Sequence, residues 1–184
     1  MKTLKIVLVG GPCTGKTTTI KALRKKGHCC FDEVSRKVTL AFQKQGIDQL
    51  FLKKPLLFSE KLLDGRIHQF KAADRAPEEL CFLDRGIPEV GAYMDYKDGN
   101  IPEKFKKANA DFTYDRVFLF PMWKEIYQSD NERYETFQEA QKIQPFIIKA
   151  YENLGYHLIE VPRMAVTERV KFILEKCHPQ QKTY

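Results

Sequence analysis

A three-layer α/β fold, with one parallel five-stranded sheet and helices on both of its faces, is what this sequence predicts. Three observations predict it. Short β-branched or apolar runs recur five times and alternate with longer stretches of helical periodicity. The first run feeds a glycine-rich loop that opens directly into a helix. Charged residues stand just after the second and third runs and soon after the fourth, at the strand ends where an open parallel sheet gathers its ligand contacts.

The first strand is predicted over 4–9, in Leu4-Lys5-Ile6-Val7-Leu8-Val9, an apolar run suited to a buried central position. Gly10-Gly11-Pro12-Cys13-Thr14-Gly15-Lys16-Thr17 follows and fits G-x-x-x-x-G-K-[ST], the phosphate-binding P-loop. Its glycines let the backbone turn tightly and approach phosphate closely, so that successive N–H groups form an anion nest. Lys16 supplies a mobile positive charge for the β- and γ-phosphates, and the Thr17 hydroxyl suits Mg²⁺. A helix from Thr18 to about 26, ended by Gly27, points its positive dipole end at the same place. A turn that merely happens to fit the pattern is the alternative, and the strand–loop–helix setting weighs against it. The chain is therefore expected to bind a nucleoside triphosphate through residues 10–18.

The second strand is predicted at 28–31, followed by a helix to about 45 that Gly46 breaks. A short helical turn at 47–52 precedes a long helix that Pro55 opens and that ends near 75, before Pro77. The third strand covers 80–83, and a helix at 87–94 follows it. Asp98-Gly99-Asn100 is a turn, 102–110 a short basic helix, and 116–120 the fourth strand, ended by Pro121. The polar, aromatic and poorly periodic stretch from 122 to about 133 reads as a loop or lid. A long amphipathic helix over 134–153 carries Pro145 as an expected kink. The fifth strand covers 156–161, the last helix 166–176, and the tail from Pro179 is expected to fray. With no linker and no internal repeat, residues 1–184 are expected to form one domain.

Composition narrows the class. Hydrophobic content of 43% with 30% charged residues fits a globular chain, and no apolar run is long enough to cross a bilayer. The first strand begins almost at once, so no signal peptide is expected and the location is read as cytoplasmic. The five cysteines show no C-x-x-C, and Cys29 and Cys30 would point to opposite faces of a strand, so they read as small core side chains. A net charge of +7 suits an anionic partner, but the basic blocks read as solvated helix faces. Without aromatic–basic interleaving, no nucleic-acid partner is expected. An acidic membrane lipid has no motif behind it, and the sequence assigns no oligomeric state.

The residues after each strand make the candidate site. Glu33 and Arg36 follow the second strand and share a face if the helix has begun; a capping acid and a surface arginine are the alternative. Asp84 ends the third strand as a Walker B aspartate does, suited to hold Mg²⁺, and Arg85 beside it suits phosphate charge. A motor-type ATPase would normally place a water-activating glutamate directly after that aspartate, so arginine at position 85 argues for transfer to an acceptor rather than dedicated hydrolysis. After the fourth strand stand Trp123, Lys124, Tyr127, Asp130 and Arg133. Arg133 entering on a closing lid would stabilise transition-state charge; an exposed Asp130–Arg133 pair is the other reading. Trp123 and Tyr127 suit stacking on an acceptor ring or filling a core equally well. On the long helix before the third strand, Gln69 could read a base or amide edge, or simply lie on the surface.

Taken together, Gly10 to Thr17, Glu33-x-x-Arg36, Asp84-Arg85-Gly86 with Tyr93, and Pro121-x-Trp123 with Asp130-x-x-Arg133 resemble the NadR-like AAA domain family of small P-loop proteins. The resemblance implies the P-loop NTPase fold, a strand order of 2-3-1-4-5 and a kinase-like lid at about 122–133. From the more distantly similar deoxynucleoside kinases it implies Glu33 as acceptor-side base, Asp84 as metal-side acid and Arg85 as phosphate contact. It places Arg163 of Pro162-Arg163-Met164 where nucleotide kinases pack the adenine. Gly86 departs from that group, which has serine or threonine there. The expected activity is Mg²⁺-dependent transfer of phosphoryl from ATP to a small nucleoside- or nucleotide-like acceptor. The alternatives are a switch driven by ATP or GTP, binding an acidic lipid or protein partner, and a plain NTPase.

Overall fold

The chain folds around β1 (Leu4–Val9), five of whose six residues are buried. The computed structural model describes residues 2–127 and 136–177. After β1 come α1 (Lys16–Lys25), β2 (Cys29–Phe31), α2 (Val34–Gln43), α3 (Leu50–Lys53) and α4 (Pro55–Asp74). Then follow β3 (Leu80–Asp84), α5 (Pro88–Lys97), α6 (Glu103–Asp111), β4 (Arg116–Leu119) and a single 3₁₀ turn, Lys124–Ile126. The described elements end with α7 (Phe137–Glu152), β5 (Leu158–Glu160) and α8 (Val166–Cys177).

The sheet is five-stranded, in the order β2-β3-β1-β4-β5, as the family resemblance implied. Every pairing is parallel, so both faces need a cover of helices. Alternation along β1 divides the core. Val7 and Val9 pack with Phe70 of α4, Ala92 of α5, and Ile143 and Ile147 of α7. Ile6 and Leu8 pack on the other side with Ile20 and Leu23 of α1 and Val170 and Ile173 of α8. Cys29 joins the first group and Cys30 the second, the opposite-facing placement expected of neighbours on a strand. Cys29 does share its neighbourhood with Cys81 and Glu78, their ligand atoms all within 4.8 Å, although no metal spacing marks them in the sequence.

Local chemistry explains the shifted boundaries. α1 begins at Lys16 rather than Thr18, because Gly15 at φ +88° turns the loop into the helix. α7 is started by a capping box: the Thr136 hydroxyl accepts from Glu139 N at 3.2 Å, and the Glu139 carboxylate accepts from Thr136 N at 2.7 Å. Pro145 lies within α7. β5 is three residues long, shorter than the six expected, because β4 pairs with it only from Leu158 to Glu160. No helix among the described residues is long and apolar enough to cross a membrane.

Candidate active site

Parallel pairing brings three strand ends together. Leu8 stands opposite Asp84, so the end of β3 lies beside the loop that leaves β1. That loop is closely packed. A Cβ on Gly10, at φ +131°, would come 2.4 Å from the Phe120 carbonyl oxygen, and one on Gly15 would meet Arg169 Nη1 at 2.2 Å. Lys16 opens α1 and is buried; its ammonium donates to the carbonyls of Gly10 (3.0 Å) and Gly11 (2.6 Å) and to Thr14 Oγ1 (3.1 Å). Burial, reinforced by the Arg85 charge, pulls its pKa down to about 8. A cation so desolvated gains strongly from an anion in the loop.

Thr17 and Asp84, the two expected metal residues, meet directly: Thr17 Oγ1 donates to Asp84 Oδ2 at 2.9 Å. Asp84 Oδ1 is buried and has no hydrogen-bond partner among the described residues. Burial and the nearby Glu33 push the Asp84 pKa up to about 6. A hydroxyl and a carboxylate with one unused oxygen form a hard-oxygen donor set that fits Mg²⁺.

Arg85 ties the strand ends together. It has φ +74°, left-handed backbone that non-glycine residues seldom adopt, at the turn out of β3. Its Nε donates to Glu33 Oε1 at 2.8 Å, and its Nη1 to Glu89 Oε1 at 2.8 Å and to the Gly10 carbonyl at 3.1 Å. Glu33 makes no capping bond to α2; its carboxylate turns to Arg85 instead, with Arg36 Nε at 3.9 Å. Burial alone would raise the Glu33 pKa, but Arg85 and then Lys16 outweigh it and hold it at about 2. Glu33 is thus a half-buried, ionised carboxylate held by Arg85, which itself reaches the Gly10 carbonyl of the phosphate loop.

Glu89 was not singled out by sequence. It is fully buried in α5, its second oxygen accepts from Gly86 N at 3.0 Å, and the Tyr151 hydroxyl lies 3.5 Å away. The available signal was its place four residues after Arg85, one helical turn on. The same turn accounts for Gly86. A Cβ there would lie 2.3 Å from Tyr151 Oη and 3.0 Å from both Tyr114 and Val7. Tyrosine hydroxyl and ring occupy the space that a serine side chain would need. Gly86→Ser should therefore lower stability by about 1–3 kcal/mol, and Tyr151→Phe in the same chain should recover part of the loss. Denaturant melts of the single and double variants check this.

The other expected site residues disperse. Gln69 is buried rather than on the surface: its Nε2 donates to the Asp32 carbonyl at 2.6 Å, and its Oε1 is left without a partner. It could offer an acceptor oxygen to a ligand, since its donor is already engaged. Trp123 stacks on the guanidinium of Arg169 in α8, 5.4 Å from ring centroid to Cζ, on the β4 side of β1 and not the β2 side that carries Glu33. Tyr127 packs edge-on against Phe137 at 5.1 Å. Arg163 is exposed, and its Nε donates to the Met122 carbonyl at 3.1 Å, joining the exits of β4 and β5. Arg133 and Asp130, with the rest of the expected lid beyond Tyr127, lie outside the described residues.

Residues 5–169 match a family model described as an AAA domain. No curated protein matches the sequence. Among solved structures, the chain superposes on deoxyadenosine kinase from M. mycoides, described with dCMP and dCDP bound, at TM-score 0.66 and 19% identity, covering 95% of this chain and 98% of that one. A NadR protein in complex with NAD and AMP-PNP gives TM-score 0.71 at 16% identity, covering 99% of this chain and 52% of that one. Thymidylate kinase from Ehrlichia chaffeensis gives TM-score 0.63 at 14% identity, covering 97% of this chain and the whole of the other. These likenesses are of fold, that of P-loop nucleoside and nucleotide kinases.

Proposed function

The chain belongs to the AAA domain family, and on that premise we propose that it is a Mg²⁺-dependent phosphotransferase, moving phosphoryl from ATP to a small nucleoside- or nucleotide-like acceptor. The observation that carries this reading is the direct ion pair between Glu33 and Arg85, 2.8 Å apart at the edge of the phosphate loop. It joins a proton acceptor to a phosphate-binding cation at one point. Simple hydrolysis needs only a group that orients water, and position 85, where such a glutamate would stand, carries the cation.

The residues divide the work. Loop N–H groups cradle the phosphates, and Lys16 exchanges the carbonyls of Gly10 and Gly11 for phosphate oxygens. When bound by Thr17 and Asp84, Mg²⁺ would neutralise charge on the β- and γ-phosphates. Arg85, already beside the Gly10 carbonyl, turns part of its charge toward the transferring group. Sharing that charge with phosphate weakens its hold on Glu33, whose carboxylate gains basicity as the donor binds. Glu33 then accepts the proton of the acceptor hydroxyl. Arg36 and the free oxygen of Gln69 lie on the β2 side, suited to orient the acceptor.

Mg-ATP incubated with a panel of ribosides, deoxynucleosides, nucleoside monophosphates and small sugars, and followed by ADP release and phosphorus NMR, tests the reading. At least one acceptor should raise ADP release by about tenfold or more and appear as a phosphorylated product. Fast hydrolysis indifferent to every acceptor would favour a plain NTPase. Tight binding of ATP or GTP without turnover would favour a switch for a lipid or protein partner.

A further inference from the structure

Among the described residues, a buried cation of α8 reaches the phosphate loop with no anionic partner of its own. Arg169, in the first turn of α8, is 5% exposed, and its Nε has no hydrogen-bond partner. No carboxylate among the described residues pairs with it, and burial alone accounts for its lowered pKa. Its polar contact is Nη1 donating to the Thr14 carbonyl at 3.3 Å, within the phosphate loop. Its flat face lies over Trp123 at 5.4 Å and Phe120 at 6.0 Å.

We propose that Arg169 and Trp123 form the base-side wall of the nucleotide site, with Arg169 a positioning residue that sets the phosphate loop from behind and Trp123 the platform that carries the nucleobase. The inference rests on the triphosphate reading of the loop. Its first part follows from peptide geometry. In a trans peptide the C=O and N–H point in opposite directions. Drawing the Thr14 carbonyl out toward Arg169 therefore turns the Gly15 N–H inward, into the anion nest. The absence of a side chain on Gly15 is what lets the guanidinium approach, since a Cβ would lie 2.2 Å from Nη1.

The second part follows from how the exit of β4 crosses the loop. Met122 packs on Gly11, where a Cβ would meet its sulfur at 2.7 Å, and Trp123 packs on Arg169. Arg163 fastens this segment through the Met122 carbonyl. A nucleoside whose phosphates occupy the loop thus has an aromatic ring close by, braced on one face by a cation and partly exposed. Stacking on such a ring suits any nucleobase, because each has a π face.

Trp123 is the single tryptophan of the chain, so protein emission reports this wall directly. Wild-type protein is titrated with Mg-ATP and with Mg-tripolyphosphate, following emission and heat together. ATP should change Trp123 emission, whereas tripolyphosphate should bind and compete with ATP while leaving emission near that of the free protein. Trp123→Leu should weaken ATP about tenfold and leave tripolyphosphate unchanged. Arg169→Ala should weaken both about 10- to 100-fold, and Arg169→Lys should recover most of that affinity. If Arg169→Ala does not fold, Trp123→Leu and the wild-type emission still decide the platform, and Arg169→Lys still decides the positioning role: affinities within about tenfold of wild type for both ligands are expected, and a larger loss overturns it. ATP binding with unchanged emission, or Trp123→Leu binding ATP like the wild type, overturns the wall and leaves the phosphate loop standing. Binding of neither ligand overturns both readings together.

Discussion

Asp84→Asn should raise the melting temperature of the nucleotide-free protein and at the same time remove the added stability that Mg-ATP confers. Asp84 is buried with one oxygen unpartnered, and its pKa is raised from 3.8 to about 6 by burial and by Glu33. A carboxyl whose folded pKa is raised stabilises the fold fully below its unfolded pKa and loses that contribution as pH rises through the folded value. At pH 7 the folded protein thus carries a buried carboxylate at a cost on the order of 1–3 kcal/mol. Asparagine keeps the shape and an oxygen for Thr17, and removes the charge. The gain should grow from about pH 4 to about pH 6 and then level off, at roughly 2–4 °C per kcal/mol for a chain of this size. The metal donor is lost with the charge, so Mg-ATP should no longer shift the melt. Scanning calorimetry with and without Mg-ATP reads both effects. A variant less stable than the parent, with its nucleotide shift intact, would make Asp84 a structural residue.

Glu33→Gln should separate binding from turnover. With an acceptor in hand, kcat should fall by about 10²- to 10⁴-fold, the range for losing a general base, while the affinity for Mg-ATP changes by only a few-fold. Stability should respond with the opposite sign to Asp84. The Glu33 pKa is depressed from 4.5 to about 2, so its contribution is present above pH 4.5 and is lost as pH falls through the folded value. Glu33→Gln should therefore be less stable than the wild type at pH 7, and the gap should narrow toward pH 2. A pH series of melts beside steady-state kinetics checks this, and near-normal kcat would return Glu33 to a purely structural pairing with Arg85.

The sequence made the sheet and the loop legible because both rest on local patterns. Apolar runs place strands within a residue or two, and the glycine spacing around Lys16 determines what the loop can hold. Glu33, Asp84 and Arg85 could be found for a related reason, since parallel strands deliver the residues at their carboxyl ends to one place. What stayed hidden depends on contacts between distant segments. Glu89 reads as an ordinary first-turn acid until the turn at Arg85 brings the guanidinium back over it. Arg169 is 155 residues from Thr14 along the chain, and no spacing rule links an arginine in α8 to the carbonyl it holds. Trp123 had two plausible roles by composition, and its packing on Arg169 of α8, far along the chain, could not be read from either. Gly86 looked like a missing hydroxyl; the space is filled by the Tyr151 hydroxyl, which arrives from α7.

Titration of Mg-ATP into wild-type protein and into Lys16→Ala, followed by calorimetry, tests the central claim most directly. Lys16 directs its ammonium at the carbonyls of the loop, so the variant should keep the fold. Wild type should bind one Mg-ATP, and the variant should bind it about 100-fold more weakly, the expected loss for a charge-assisted contact to phosphate in a buried site. Equal affinity in the two folded proteins would contradict the account.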